Sequence, residues 1–166
     1  MPEPQTPRTL VVVRHAKTEK HAATDAGRPL TERGLHSARD LATWLGTELA
    51  NATAADTVAL VSTAVRTRQT WTEISHQVPA AVRLLDGLYA ATTAEVLSTV
   101  QMTEPDVRTV LVVGHNPAVH DLVTLLAGPV VSSMSPGTAV VLDVSCDWHD
   151  VGAGCCQVRF QHRPPG

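Results

Sequence analysis

Two histidines and two arginines follow three short apolar runs of the chain, each within a few residues of the end of a run. Arg14 and His15 come directly after the first run, Arg66 lies a few residues after the second, and His115 follows the third within two residues. Guanidinium groups bind phosphate oxygens, and a neutral imidazole can act as a nucleophile. Because no cluster of carboxylates accompanies these residues, their types indicate a site that binds a phosphate group.

Each of these side chains also has a simpler interpretation when it is considered alone. An arginine at a strand end usually forms a surface ion pair, and an isolated histidine there is more often a structural residue. The other six histidines lie on predicted polar faces or in loops, and we expect all of them to be structural or solvated except His21, which lies in the loop that faces the site. The functional interpretation of the four residues therefore depends on their meeting at one place in the fold.

The runs that carry these residues consist largely of consecutive apolar and β-branched residues, such as Leu-Val-Val-Val at positions 10–13. A continuous apolar run of this length is typical of a strand that helices cover on both faces of a parallel sheet. Six strands are predicted, over residues 9–13, 58–61, 82–85, 109–113, 138–144 and 157–160.

Segments with helical periodicity lie between the first strands. Residues 31–50 have apolar residues at steps of three and four, and a second segment with such steps begins near Ser62, whose side chain we expect to cap it. A Thr-x-x-Glu capping box predicts a third helix that begins after Thr92. Asn116, followed by a proline, predicts the N-cap of a fourth helix, which we expect to end at Gly128.

The order of these elements predicts an α/β fold of three layers, with a largely parallel sheet of about six strands and helices on both faces. The last two strands can form a hairpin at one edge. We expect a single domain over residues 1–166 with a core at about 9–161. Since ligands of open parallel sheets bind at the carboxyl ends of the strands, the two histidines and two arginines are expected to meet there.

Composition argues against several other classes of protein. Aromatic residues make up 3% of the 166 residues and the net charge is −3, which disfavours a nucleic-acid-binding surface. No apolar stretch approaches the roughly 20 residues of a membrane helix, and the polar start of the chain is unlike a signal peptide. The three cysteines fit neither a disulfide framework nor a zinc site. We therefore expect a cytoplasmic protein without a membrane or nucleic-acid partner.

Three segments resemble the motifs of the histidine phosphatase superfamily, also called the phosphoglycerate-mutase-like family. Residues 12–16, Val-Val-Arg-His-Ala, resemble its Arg-His-Gly signature, with alanine in place of the more common glycine. Residues 62–70 are similar to its Ser-x-x-x-Arg-x-x-x-Thr motif, and residues 113–117 are similar to its Gly-His-Asn-Pro motif. Residues 25–34 and 88–91 most resemble the small SixA-type phosphohistidine phosphatases of this superfamily.

The resemblance implies a phosphoglycerate-mutase-like fold and a phosphatase that needs no metal or other cofactor. In such an enzyme His15 would be the nucleophile, and a backbone carbonyl would hold its other ring nitrogen. Arg14, Arg66 and His115 would bind the phosphate oxygens and supply the positive charge, and Arg28 would add to the rim. Phosphate and a phosphorylated protein or small molecule would be the partners.

The resemblance leaves the general acid open, because many relatives carry a glutamate after the third strand and Asp86 is the only carboxylate there. An alkoxide leaving group needs protonation, for which a general acid supplies a factor of about 10²–10⁴. An imidazole, with an ordinary pKa of about 6.5, can leave as a neutral ring if it is protonated beforehand. The sequence therefore favours phosphohistidine in a protein as the substrate.

Two alternatives stay open at this point. A small-molecule phosphomonoesterase of the same superfamily would need a correctly placed acid at Asp86 or Asp25. A phosphate-binding domain without activity is disfavoured, since such a domain would be expected to lose one of the four site residues. A mutase is disfavoured because the chain lacks the length for insertions that enclose a substrate.

Overall fold

A six-stranded sheet forms the frame of the protein, for which a computed structural model describes residues 7–165. The strands are β1 Arg8–Arg14, β2 Thr57–Ser62, β3 Ala81–Leu85, β4 Thr109–Gly114, β5 Ala139–Val144 and β6 Cys156–His162. Their order across the sheet is β3-β2-β4-β1-β5-β6. The first four strands are parallel, whereas β5 runs antiparallel to β1 and β6 antiparallel to β5. The largely parallel sheet and the final hairpin are thus both confirmed.

Helices cover both faces of this sheet. Alternate residues of β1 point to opposite faces, so that Val11 and Val13 pack in one apolar cluster and Leu10 and Val12 in another. The helices are α1 Glu32–Glu48, α2 Val65–Ser75, α3 Thr93–Gln101 and α4 Ala118–Ala127. The first cluster contains residues of α1 and α2, and the second contains residues of α3 and α4. The predicted three layers are confirmed, and none of the helices in the described part of the chain is long and apolar enough to span a membrane.

Helix ends show where local sequence decides the structure and where tertiary contacts do. The predicted capping box is present, because the side chain of Thr92 accepts from the Glu95 amide while the Glu95 carboxylate accepts from the Thr92 amide. The N-cap predicted at Asn116 is wrong: α4 has Pro117 as its N-cap, without a side-chain hydrogen bond. The Nδ2 atom of the Asn116 side chain instead donates to the carbonyl of Met134 at 2.9 Å, a residue 18 positions away. Gly128 ends α4 as predicted, with a positive φ of 84°.

The carboxyl ends of β1, β2 and β4 lie side by side at one edge of the sheet. The pairing places Arg14 opposite Gly114 and Val61 opposite Val113. The chain therefore delivers the residues that follow these three strands to one place, as the order of elements predicts.

Candidate active site

His15 is held at the end of β1 by hydrogen bonds of its backbone. Its amide donates to the carbonyl of Gly114 at 3.1 Å, and its carbonyl accepts from the Gly137 amide at 2.9 Å. The next amide, that of Ala16, donates to the hydroxyl of Thr70 on α2 at 3.1 Å. Strands β1 and β4, helix α2 and the turn before β5 thus all fix the position of this one residue.

The imidazole of His15 leaves one nitrogen available for chemistry. Its Nδ1 lies 2.8 Å from the carbonyl oxygen of Ala16. Because a carbonyl can only accept, Nδ1 carries the proton and Nε2 carries the lone pair in the neutral ring. A backbone carbonyl that holds the other ring nitrogen is the arrangement that the resemblance implies for a nucleophilic histidine.

Burial keeps the His15 ring neutral. The side chain is nearly enclosed, and desolvation is the largest effect that lowers the pKa of His15, to about 3. The hydrogen bond to Ala16 favours the charged ring and raises the pKa, whereas the neighbouring His115, Arg66 and Arg14 lower it further. At neutral pH the ring is therefore an uncharged base with a free Nε2.

Each of the two arginines predicted for the site uses some of its N–H groups to donate hydrogen bonds to protein oxygens. Other N–H groups of the same side chains have no acceptor among the described residues. Arg66, at the start of α2, donates from Nη1 to the carbonyl of Asp25 at 2.8 Å and from Nη2 to its carboxylate at 3.2 Å. Arg14 donates from Nη1 to the carbonyl of Met134 at 3.0 Å. The Nε atoms of both arginines are buried and have no hydrogen-bond partner among the described residues.

His115 lies beside His15, with 5.4 Å between the ring centres. Its Nε2 is 2.8 Å from the hydroxyl of Ser62, and its buried Nδ1 has no partner in the described part of the chain. The serine hydroxyl can donate to Nε2, and in that tautomer Nδ1 carries the proton and is a free donor. Ser62 was expected to cap α2, but Ala64 is the N-cap residue and the hydroxyl of Ser62 holds His115 instead.

The charge of His115 differs from the expectation. Burial lowers its pKa to about 4, and the positive charge of Arg66 adds to this effect. At neutral pH His115 is therefore uncharged and offers a hydrogen bond, so that the full positive charges come from Arg14 and Arg66.

Unpartnered nitrogens on three of these residues indicate what the site binds. Arg14 Nε, Arg66 Nε and His115 Nδ1 are each buried without an acceptor among residues 7–165. A buried donor without a partner costs about 1–3 kcal/mol, and more for a charged group. An oxyanion bound beside the two arginines would balance their charges and would bring acceptor oxygens to a region where the protein leaves donors unpaired.

The two further predicted residues, Arg28 and Asp86, lie near this edge but have other partners. Arg28 donates from Nε to the Asp25 carboxylate at 3.0 Å and from Nη1 to Thr18 and Glu19 of its own loop. Asp86 is exposed after β3, and its carboxylate accepts from the Thr63 hydroxyl at 2.8 Å.

Sequence reasoning assigned no role at the site to Tyr89. Its ring packs edge-on against His115 at 5.7 Å, and its hydroxyl donates to the Asp25 carboxylate at 2.5 Å. One signal was available, because Tyr89 is the only tyrosine of a chain that is poor in aromatic residues.

One group of side chains could hold a metal ion, and it lies elsewhere. Within residues 7–165, Asp147, His149 and Asp150 are the only group of three or more histidine, cysteine, aspartate or glutamate residues whose ligand atoms all lie within 4.8 Å of one another. These residues follow β5, whose last residue, Val144, pairs with Arg8 at the start of β1. The group is therefore at the opposite edge of the sheet from His15.

Comparisons with known proteins agree with the fold and with the motifs. Residues 10–91 match the family model of the histidine phosphatase superfamily, branch 1. An uncharacterized protein of Mycobacterium tuberculosis is 34% identical over 92% of this chain and 99% of its own length. A solved structure of a candidate phosphohistidine phosphatase, SixA, from Nakamurella multipartitia has a TM-score of 0.88 and 32% identity, covering 99% of this chain and all of that one.

A second solved structure contains a bound oxyanion. It is the protein histidine phosphatase SixA complexed with tungstate, which has a TM-score of 0.76 and 25% identity to this chain, covering 92% of this chain and 95% of that one. The resemblance read from the three motifs is therefore confirmed, and the chain belongs to the histidine phosphatase superfamily as a SixA-like phosphatase.

Proposed function

We propose that this phosphatase removes the phosphoryl group from phosphohistidine in a phosphorylated protein, and that His15 carries the group as a covalent intermediate. The observation that carries the proposal is the state of His15, a buried neutral imidazole whose Nδ1 proton is held by the Ala16 carbonyl. The lone pair of Nε2 is then the nucleophile. Both SixA structures described above are named for phosphohistidine or protein histidine, which supports the substrate.

In the first step the lone pair of His15 Nε2 attacks phosphorus, and the bond between phosphorus and the substrate nitrogen breaks. The electron pair of that bond stays on the substrate ring, which leaves as neutral histidine if its other nitrogen was protonated beforehand. One imidazole replaces another on the phosphoryl group, so the step requires no strong general acid. Arg14, Arg66 and His115 bind the phosphate oxygens, and the two guanidiniums offset their charge.

In the second step water attacks the phosphorus on His15. The bond between phosphorus and Nε2 breaks, its electron pair returns to Nε2, and dihydrogen phosphate is released. The proton on Nδ1 stays on the ring throughout, where the carbonyl of Ala16 stabilises the cationic phosphohistidine. His15 thus returns to the neutral state in which it began.

The surroundings of the carboxylates favour this substrate over an alkyl phosphate. Asp25 has its pKa lowered to about 2, chiefly because the Tyr89 hydroxyl donates to it, so it holds no proton to give at neutral pH. Asp86 accepts a hydrogen bond from Thr63 and contacts none of the four residues proposed for catalysis through a hydrogen bond. Neither carboxylate is therefore suited to protonate an alkoxide leaving group, whereas an imidazole leaving group does not depend on such an acid.

A comparison of phosphate release tests the proposal. The chain should hydrolyse a phosphohistidine peptide with a kcat/KM at least about tenfold above that for phosphoserine peptide or a sugar phosphate, since those esters lack the factor of about 10²–10⁴ from an acid. Equal or faster hydrolysis of the alkyl phosphates would instead favour a small-molecule phosphomonoesterase. Phosphate binding without release from any of these compounds would favour a non-catalytic domain.

A further inference from the structure

Asp25 lies where three other side chains of the site region meet. Its carboxylate accepts from Tyr89 at 2.5 Å, from Arg66 Nη2 at 3.2 Å and from Arg28 Nε at 3.0 Å. Its main-chain oxygen accepts a second hydrogen bond from Arg66, at 2.8 Å from Nη1. The loop that carries Asp25 is also attached to α2, because the carbonyl of Ala26 accepts from the Val65 amide at 2.9 Å.

These contacts fix the orientation of the Arg66 guanidinium. The group is planar, and acceptors on both of its Nη atoms define the position of its plane. The Tyr89 ring stands 5.8 Å from the central carbon of the guanidinium and limits movement out of that plane. The Arg66 side chain is 7% exposed, so that little solvent competes for the same donors. Its Nε atom is buried and has no hydrogen-bond partner among the described residues.

We infer that Asp25 is a positioning residue for phosphoryl transfer, with its main-chain oxygen and carboxylate holding Arg66, and with Tyr89 holding that carboxylate. The inference rests on the phosphoryl-transfer site proposed above, in which Arg66 binds the phosphoryl group. Asp25 acts through Arg66 and transfers no proton itself. Its low pKa keeps it charged, and therefore bound to both arginines, over the whole range in which the enzyme would work.

Replacement of Asp25 is expected to destabilise the transition state of the reaction more than it destabilises the folded protein. Asp25 is exposed, so that its replacement leaves no cavity. A misplacement of about 1 Å in a catalytic group can lower a rate by about 10²-fold. For Asp25→Ala we therefore expect kcat/KM to fall by about 10- to 100-fold with both a phosphohistidine peptide and an aryl phosphate. Tyr89→Phe should lower it in the same direction but less, and Asp25→Asn, which keeps an acceptor oxygen, should fall between Asp25→Ala and wild type.

A double-mutant cycle shows whether Asp25 acts through Arg66. In an Arg66→Ala background, the further change Asp25→Ala should alter kcat/KM by less than about twofold, since residues that act as a unit are not additive. Asp143→Asn is the matched control, because Asp143 also pairs with an arginine, Arg159, on the exposed part of the sheet far from His15. It should leave kcat/KM unchanged, and thermal unfolding should be recorded for every variant.

Inhibition by orthovanadate, a phosphate-like anion, distinguishes a positioning role of Asp25 from a role in which Asp25 competes with the substrate for Arg66. We expect Asp25→Ala to weaken vanadate inhibition. Tighter vanadate inhibition with an unchanged or higher kcat would overturn the inference, because Asp25 would then be competing with the substrate for Arg66. An equally large loss in the Arg66→Ala background would overturn it as well. If the wild-type enzyme hydrolyses aryl phosphate but not phosphohistidine, the proposal that phosphohistidine is the substrate is wrong. The role of Asp25 is still decided in that case, by the same double-mutant cycle measured with aryl phosphate.

Discussion

Burial of His15 and His115 separates two requirements of the proposed reaction at the scale of single residues. The nucleophile must be neutral, and burial next to cations lowers the pKa of both rings to about 3 and about 4. The oxyanion must meet positive charge, and Arg14 and Arg66 keep theirs because a guanidinium does not lose its proton at working pH. The same low-dielectric surroundings thus leave a free base and two cations side by side.

The carboxylate of Asp86 gives a prediction at this scale. If the substrate is phosphohistidine, Asp86→Asn should lower kcat by less than about tenfold, well below the 10²–10⁴-fold effect of a true general acid. The reason is that the substrate ring needs no proton as it leaves. Steady-state phosphate release from a phosphohistidine peptide and from an alkyl phosphate, on one preparation of the variant, provides the measurement. A thousandfold loss on phosphohistidine would identify Asp86 as the acid and refute the argument from the leaving group.

Strand ends and helix starts position the site at the scale of elements, and the sequence predicts this part well. The β-branched runs predict β1, β2 and β4, and the parallel order then predicts that Arg14, His15, Arg66 and His115 meet. The contacts made by side chains of the loops could not be predicted in the same way. Asp25 and Arg66 are 41 positions apart, and no local pattern records their hydrogen bonds.

Capping shows the same limit within a few residues. Thr92 caps α3 as its local sequence indicates, because no distant partner competes for its hydroxyl. Ser62 and Asn116 have equally good capping side chains, but in the folded chain the Ser62 hydroxyl pairs with His115 Nε2 and the Asn116 side-chain NH₂ donates to the Met134 carbonyl. The Asn116 Oδ1 atom, which would cap α4, has no hydrogen-bond partner among the described residues. Local propensity therefore decides a helix end only where tertiary contacts leave the side chain free.

The close approach of α1 to the loop that follows His15 gives a prediction for Gly34. A Cβ atom on Gly34 would lie 2.1 Å from the carbonyl oxygen of Lys17, so that backbone would have to move. Gly34→Ala should therefore destabilise the protein by about 1–3 kcal/mol, in spite of a gain in helix propensity of about 1 kcal/mol. Urea unfolding measures the change.

Gly46→Ala in the same helix is the control for that measurement. The nearest atom to its new Cβ would be the Cβ of Gln77 at 3.1 Å, a contact that a shift of a few tenths of an ångström would relieve. The free energy of unfolding of Gly46→Ala should stay within about 1 kcal/mol of that of wild type, because the gain in helix propensity offsets the tighter contact. Equal stability of the two variants would show that the Lys17 backbone gives way easily.

The neutral histidines of the site should also affect the stability of the whole molecule. An unfolded histidine takes up a proton below a pH of about 6.5, whereas folded His15 stays neutral down to about pH 3. The folded state is therefore favoured fully above pH 6.5, and this contribution is lost as the pH falls towards the folded pKa. The slope from one such histidine is up to about 1.4 kcal/mol per pH unit.

Urea unfolding at pH 6.5, 5.5 and 4.5 tests this dependence. Wild type should lose stability at each step, and His15→Gln should lose less per pH unit. The control His36→Gln replaces an exposed histidine of α1 and should keep the slope of wild type. A slope that is the same in wild type and His15→Gln would mean that His15 is protonated in the folded protein near pH 5.

The central claim is that His15 becomes phosphorylated during turnover, and trapping the intermediate tests it most directly. The enzyme is mixed with a phosphohistidine peptide carrying radioactive phosphorus and quenched in alkali, and the label is located by peptide mapping. We predict an acid-labile, base-stable label on His15, which accumulates more when His115→Ala slows the reaction. The label should be absent from His15→Ala, which we expect to be inactive but folded. A label on another residue, or full turnover by His15→Ala, would contradict the account.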